Sequence, residues 1–356
     1  MKSSAGFSLV ESLVASALML TVAGAAFAVV TPGMTGSQVQ PEAADMQQRV
    51  RVASDLLQRD LRMAGAGVTT DPAAGPLVRF FAPIVPRRIG SRLPDAHSVV
   101  REDAIAITYA SDSYWQTTVR EPLTAGPGSL RVDQPPSCPI GRAVCGYTTG
   151  LDLLIFDRAG AFDRFTITSV AADEAGLRPH RPDPSSAYPA GAFVTPAETH
   201  VYWFDAGTRQ LRHYDGDQTD VPVVDNVVGV RFEYFGDPQP PSLPKPPVGV
   251  ANCLYDAAGT RLAMPTLTAD GGSLAALPSA SLGDGPWCGE GLNQFDADLL
   301  RVRKVRVSLR VQAAQAAYRG TGAAYAVPGA ATSAHRALPD LAVTFDVTPR
   351  NLNGGR

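Results

Sequence analysis

The run "GFSLVESLVASALMLTVAGAAFAVV", residues 6–30, sets the first limit on what this chain can become. Residues 7–30 are 24 positions with no Lys or Arg. As a helix they span about 36 Å, enough for the ~30 Å hydrocarbon core of a bilayer. The flank ahead is short and carries Lys2. That favours an amino terminus held in the cytoplasm while the rest of the chain crosses. Pro32 and Gly33 follow, and a proline there is expected to interrupt or kink the helix. Glu11 fits poorly, because a carboxylate within the bilayer costs on the order of 3 kcal/mol and usually has a partner.

Three readings compete for this segment. A removable secretory signal finds an A-x-A-like cleavage site at Ala26-Phe27-Ala28. It also places Glu11 inside the apolar region and leaves almost no basic region ahead. A plain membrane anchor explains the length and leaves Glu11 unexplained. The third reading uses both oddities. "KSSAGFSLVESL" resembles the type IV prepilin leader: a short basic leader, a glycine, a phenylalanine and an acid four residues on. The resemblance implies that a dedicated membrane prepilin peptidase cuts between Gly6 and Phe7 and methylates the new amino terminus at Phe7. The family's acid matches Glu11. One helical turn separates Phe7 from Glu11, so the amine and the carboxylate share a helix face. Glu11 of one chain can then meet the Phe7 amine of a neighbour, and pairing in lipid rewards correct staggering in a filament. Small residues such as Ala15, Ser16, Ala17 and Gly24 allow close helix approach.

The remaining composition is that of a globular head. Of 356 residues 45% are hydrophobic, and the net charge is −3. That is neither a disordered chain nor a bulk polyanion binder. The four cysteines, Cys138, Cys145, Cys253 and Cys288, form no CxxC pair, which argues against a zinc ribbon. Neighbour pairing, 138 with 145 and 253 with 288, is one of three connectivities. Four reduced buried thiols are the alternative, favoured by a cytosolic head and disfavoured by an exported one.

After the "TPGMTGSQVQ" interruption, Pro41 suits a first helical position, with Glu42 and Asp45 in the first turn. Met46, Val50, Ala53, Leu57, Leu61 and Ala64 recur at helical spacing and form an apolar stripe. Arg49, Arg51, Asp55, Arg59 and Asp60 fall mostly off it, and Gly65 and Gly67 offer a stop. The rest reads as antiparallel strands. "GLDLLIFD" with "FDRFTITSV", and "THVYWFD" with "RQLRHY", read as hairpins. "EDAIAITYA", "NVVGVRFEYFGD" and "DLAVTFDVTP" alternate as half-buried strands. "LLRVRKVRVSLRVQAA" slips phase near Arg303-Lys304, a bulge signal. Residues 236–298 are rich in Pro, Gly and Ala and read as a long surface excursion.

The expected architecture is therefore α+β: a leader at 1–6, a membrane helix at 7–30, an amphipathic spine at 31–67, and a β-rich head at 68–356. "MQQRVRVASDLLQRDLRMAGAG", the two hairpins and "FDVTPRNLN" are similar to the PilW-type minor pilins. The J-type minor pseudopilin of type II secretion is built on a similar plan. The resemblance implies a pilin-like fold and a low-copy subunit that primes filament assembly and stays at the tip. Its partners would be other minor pilins and the major pilin, or pseudopilins, and a tip adhesin. The head would lie in the periplasm, anchored in the inner membrane, until assembly places it on a surface filament. An adhesive excursion at 236–298 is the alternative reading of the head.

No nucleophile elbow, zincin, P-loop or dinucleotide motif occurs, and no enzyme, cofactor or metal is expected. His97, His180, His200, His213 and His335 are scattered without ligand spacing. Asp215, Asp217 and Asp220 loosely resemble the start of a Ca²⁺ loop but lack its closing Glu, so a polar turn is the simpler reading. The basic positions from Arg301 to Arg310 lack the aromatic interleaving of a nucleic-acid surface and read as a solvated sheet face or a subunit contact.

Overall fold

In the computed structural model the described residues are 8–67, 76–92, 94–110, 115–124, 128–134, 138–139, 144–171, 174–179, 187–269, 272–334 and 336–353. The expected leader, with Gly6, and Phe7, His180 and His335 lie outside them. Among the described residues, one α-helix, α1 (Leu9–Met63), comes first and 17 strands follow. Two compact units emerge: Met1–Arg49 with Val311–Leu341, and Val50–Arg310 with Ala342–Arg356.

α1 corrects two expectations. It runs through residues 31–40 without interruption, and Pro41 sits inside it rather than at its first turn. A proline already has helical φ and removes a single hydrogen bond, which the bonds on either side outweigh in a helix of 55 residues. The stripe holds otherwise. Met46, Ala53, Leu57, Leu61 and Ala64 are buried, with Val50 partly so. The helix stops where Gly65 adopts φ +68 and donates its N–H to the Thr108 carbonyl at 3.0 Å. A side chain there would also strike Val78.

In the first unit, the segment after Val311 folds without strands. Gln312 and Ala313 are fully buried, the Arg319 guanidinium donates to the Gln312 side-chain oxygen at 3.2 Å, and Glu42 accepts from the Ala314 N–H. Sequence periodicity carried no signal for this stretch.

The second unit holds the sheets. A five-stranded sheet runs in the order β1 (Ile84–Val85), β2 (Ala104–Tyr109), β9 (Glu198–Asp205), β10 (Gln210–Tyr214), β11 (Asp220–Asp225). The hairpin expected around Ala206-Gly207-Thr208 is β9–β10, with Asp205 opposite Gln210 and Tyr202 opposite His213. β2 is buried on both faces, not one.

A six-stranded sheet runs β3 (Thr117–Thr118), β8 (Phe193–Pro196), β5 (Asp152–Phe156), β6 (Phe162–Val170), β7 (Glu174–Pro179), β4 (Gly128–Arg131), and every pair is antiparallel. β5–β6 is the second expected hairpin. The bridge Val119–Val132, with Asp133 N–H on the Thr118 carbonyl and Arg120 N–H on the Arg131 carbonyl, joins the first strand to the last. The sheet thus closes on itself around alternate residues such as Leu153, Ile155, Phe165, Ile167, Leu177 and Val194. Closure removes both open edges. On the outer face, Phe80 and Phe81 pack against Phe156, Phe162 and Phe193.

The third sheet is β13 (Ala275–Leu277), β12 (Val227–Gly236), β16 (Val302–Val311), β17 (Leu341–Val347). β16 shows the slipped phase: Val302 is buried, then Arg303 and Lys304 are both half-buried, then alternation resumes at Val305. Leu299 and Leu300 belong to a short 3₁₀ helix, Ala297–Arg301, and not to the strand. Lys304 and Arg306 share Asp346, and Arg303 meets Asp237, so much of this basic charge is paired within the chain.

Residues 236–298 are corrected too. They are no simple surface excursion, for Leu254, Leu277, Leu282, Phe295 and Ala297 are buried and β13 and the pair β14 (Trp287–Cys288) with β15 (Phe295–Asp296) lie within them. The disulfides join Cys138 to Cys145 and Cys253 to Cys288. Separations of 7 and 35 residues give chain-entropy contributions of about 2 and about 4 kcal/mol. Replacing Cys253 and Cys288 by serine is therefore expected to lower the urea midpoint more than replacing Cys138 and Cys145. The reverse order would mean that loop closure is not the source of the stabilisation.

Candidate functional site

Two places concentrate polar chemistry. The first is the start of α1. The Ser8 hydroxyl accepts from the Glu11 N–H at 3.1 Å, and a Glu11 carboxylate oxygen accepts from the Ser8 N–H at 3.0 Å. This reciprocal pair is a capping box, which satisfies two of the backbone donors that a helix start leaves open. It gives Glu11 a use within its own chain that sequence reading missed, although S-x-x-E is legible. Beyond it, Leu9–Val29 has a mean hydropathy of 2.0 and is long and apolar enough to cross a membrane, and no residue of its most apolar stretch is buried by the rest of the chain. Leu9, Met19, Leu20, Phe27 and Val29 are each more than 70% exposed. Ser16 and Thr21 return their hydroxyls to the carbonyls of Ser12 and Ala17, four residues back, so neither needs water.

The second place lies where the last turns of α1 meet the five-stranded sheet. Asp60 is fully buried, although its sequence position was read as mostly off the stripe. It lies three residues after Leu57 and four before Ala64, which is the same face. Tyr202 donates its hydroxyl to Asp60 Oδ2 at 2.5 Å, His200 Nδ1 stands 3.3 Å from the same oxygen, and Arg59 holds Oδ1 at 2.9 Å. His200 Nδ1 is also 2.8 Å from His213 Nε2. On the far side of the His200 ring, Nε2 is 2.9 Å from the Tyr109 hydroxyl and 3.3 Å from Glu198 Oε2, and Tyr109 donates to that carboxylate at 3.1 Å. Burial pushes the Tyr109 and Tyr202 hydroxyls up, aided by Glu198 and Asp60 for the former and Asp60 for the latter, so both keep their protons. Burial, then the neighbouring His200, pushes His213 down toward its neutral form.

His200 and His213 are thus not scattered. Register brings them together, since His213 faces Tyr202 across the hairpin and His200 lies two residues from Tyr202 on the same face. The pattern H-x-Y, a tight turn and a histidine at the matching position was the available signal. The aspartates of the "YDGDQTD" turn do not converge. Asp215 accepts from the N–H groups of Asp217, Gln218 and Thr219, Asp217 pairs with Arg178 at 2.6 Å, and Asp220 pairs with Arg212 at 3.0 Å. This is the polar turn of the simpler reading.

Comparison with family models, with curated proteins and with solved structures finds no significant match to any of the three.

Proposed function

We propose that this chain is a minor subunit of a type IV pilus-like filament, released from its leader by cleavage between Gly6 and Phe7 and methylated at Phe7. The observation that carries the reading is an apolar helical stretch, Leu9–Val29, with large apolar side chains such as Leu9, Met19 and Leu20 mostly exposed and one carboxylate retained at its start. An apolar surface of that extent needs lipid or other helices around it. Before assembly the inner membrane supplies the lipid, and in the filament neighbouring helices replace it. The paired cysteines favour a head exported to an oxidising compartment, here the periplasm and then the cell surface. The partners are other minor subunits and the major pilin, or the corresponding pseudopilins of a type II secretion filament.

Mass spectrometry of the membrane-extracted chain tests the reading. The expected amino terminus is N-methylated Phe7. An intact Met1, or a new terminus after Ala28, would overturn it. A deletion strain then separates the two filaments: loss of twitching motility identifies a pilus, and loss of enzyme export identifies a secretion system.

A further inference from the structure

We propose that Asp60, His200 and His213 form a binding site for a divalent transition-metal ion of the zinc class, pinning the end of α1 to the β9–β10 hairpin. One ligand atom of each residue lies within 4.8 Å of the other two. Tetrahedral ligands at ~2.0–2.1 Å from zinc stand roughly 3.3 Å apart. His200 Nδ1 and Asp60 Oδ2 already have that spacing, and His200 Nδ1 and His213 Nε2 need to part by about half an ångström from 2.8 Å.

The surrounding bonds decide which atoms carry protons. Tyr109 donates to Glu198 while keeping its proton, which lets its oxygen accept from His200 Nε2. With the His200 proton on Nε2, the tautomer an ion would select, Nδ1 presents a lone pair. That lone pair faces a carboxylate oxygen of Asp60, and His213 Nε2 faces the same point. Tyr202 supplies a proton to Asp60 Oδ2, and at most one proton lies between the two imidazoles. An ion that displaces that one proton can bind both imidazoles and the carboxylate. Glu198 behind His200 is the outer carboxylate that metal-bound histidines characteristically have, fixing the ring and raising its basicity. Two imidazoles and a carboxylate suit zinc, cobalt or nickel and are poor ligands for calcium or magnesium. A fourth position is left for water. His200 and His213 are both partly exposed, so an ion can reach the site past the imidazoles. Arg59 sits on the other Asp60 oxygen, and Oδ2, which accepts from the Tyr202 hydroxyl, keeps a second lone pair for the ion.

The test uses the untagged full chain in detergent micelles, stripped with a chelator and titrated with Co²⁺, then with Zn²⁺. The expected result is one Co²⁺ per chain with the visible absorption of a four- or five-coordinate site, bleached by Zn²⁺. His213→Gln should abolish it. Glu198→Gln, a change at a half-exposed side chain, should weaken affinity by about 10- to 100-fold and leave metal-free folding intact. Absence of stoichiometric binding to the native chain overturns the proposal, as does unchanged binding in His213→Gln. Should His213→Gln fail to fold, Glu198→Gln decides, and unaltered affinity there overturns it as well.

Discussion

Replacing Arg301 with methionine is expected to lower the unfolding free energy by about 3–5 kcal/mol at neutral pH. Arg301 is fully buried, and its guanidinium has three tasks. It meets Asp298 at 2.7 Å, and it donates to the carbonyls of Pro238 and Pro265 at 3.0 and 2.8 Å. Those carbonyls belong to two stretches of the 236–298 segment outside its strands, joined also by the Leu267 N–H on the Pro238 carbonyl at 2.9 Å. Backbone bonds tie the same place together, with Asp237 N–H on the Arg301 carbonyl at 2.9 Å. Gly236 is required beside it, because a Cβ there would collide with that carbonyl. Methionine fills much of the volume but leaves a buried carboxylate without a counter-charge and removes the donor that Arg301 supplies to the Pro265 carbonyl, while Pro238 keeps the Leu267 N–H.

The loss depends on pH in a direction that can be worked out. Burial pushes the Asp298 carboxyl up to about 6 from 3.8, and the Arg301 charge pulls it back. The native carboxyl therefore holds its proton more tightly than the unfolded one. Its contribution is fullest in acid and declines as pH rises from about 4 through 6. Removing Arg301 raises the native value further, so the decline continues beyond pH 6. The gap between variant and native chain should widen from about pH 5 to about pH 8 in urea unfolding. Adding Asp298→Asn should recover the pH-dependent part. A gap that is the same at both pH values would show that the carbonyl bonds, and not the charge pair, dominate.

What sequence could reveal here divides by the distance over which each feature is determined. The α1 stripe, the two hairpins and the slipped phase of β16 are local, since each is written in a window of about 10–20 residues whose periodicity reports one buried face. The closure of the six-stranded sheet is not local. It rests on Val119 meeting Val132 and on the strand order of β8 beside β5, which no periodic pattern encodes. The 236–298 segment was misjudged for a related reason. Its composition forbids long strands, but it does not forbid burial, and a disulfide, a buried arginine and single apolar anchors such as Phe295 pack it where ladder bonds are few.

The polar clusters follow the same division. Ser8 and Glu11 are three residues apart, so the capping box was legible, and the search for a distant charge partner hid it. Asp60 was read as lying mostly off the stripe, where a charged residue usually falls. Its burial depends on Tyr202, 142 residues away in sequence, and on histidines whose meeting depends on hairpin register. Cysteine pairing fell between these cases. Neighbour pairing minimised loop length, and the fold adopts it, but four cysteines left two other connectivities equally consistent with composition.

Two substitutions at Glu11 test the proposed pairing between chains against its capping role within the helix. Glu11→Ala removes both the capping bond and the charge. The capping loss is about 1 kcal/mol at one helix end, while insertion into lipid becomes easier by about 2.5–3.5 kcal/mol. The anchor is therefore no weaker, and processing, read as Phe7 at the amino terminus, should continue. Incorporation into filaments should fall to background in sheared-fibre fractions, because the methylated amine of the neighbouring subunit would enter the apolar core without a counter-charge. Glu11→Gln decides which loss matters. Glutamine serves the capping box as glutamate does, accepting the Ser8 N–H through its amide oxygen, but carries no charge. It should therefore be excluded from filaments as fully as Glu11→Ala. Ser8→Ala keeps the charge and loses the hydroxyl side of the box, and should be incorporated normally. Normal incorporation of Glu11→Gln alongside exclusion of Ser8→Ala would reverse the assignment: Glu11 would then act by starting the helix, and the pairing between subunits would be lost as an explanation.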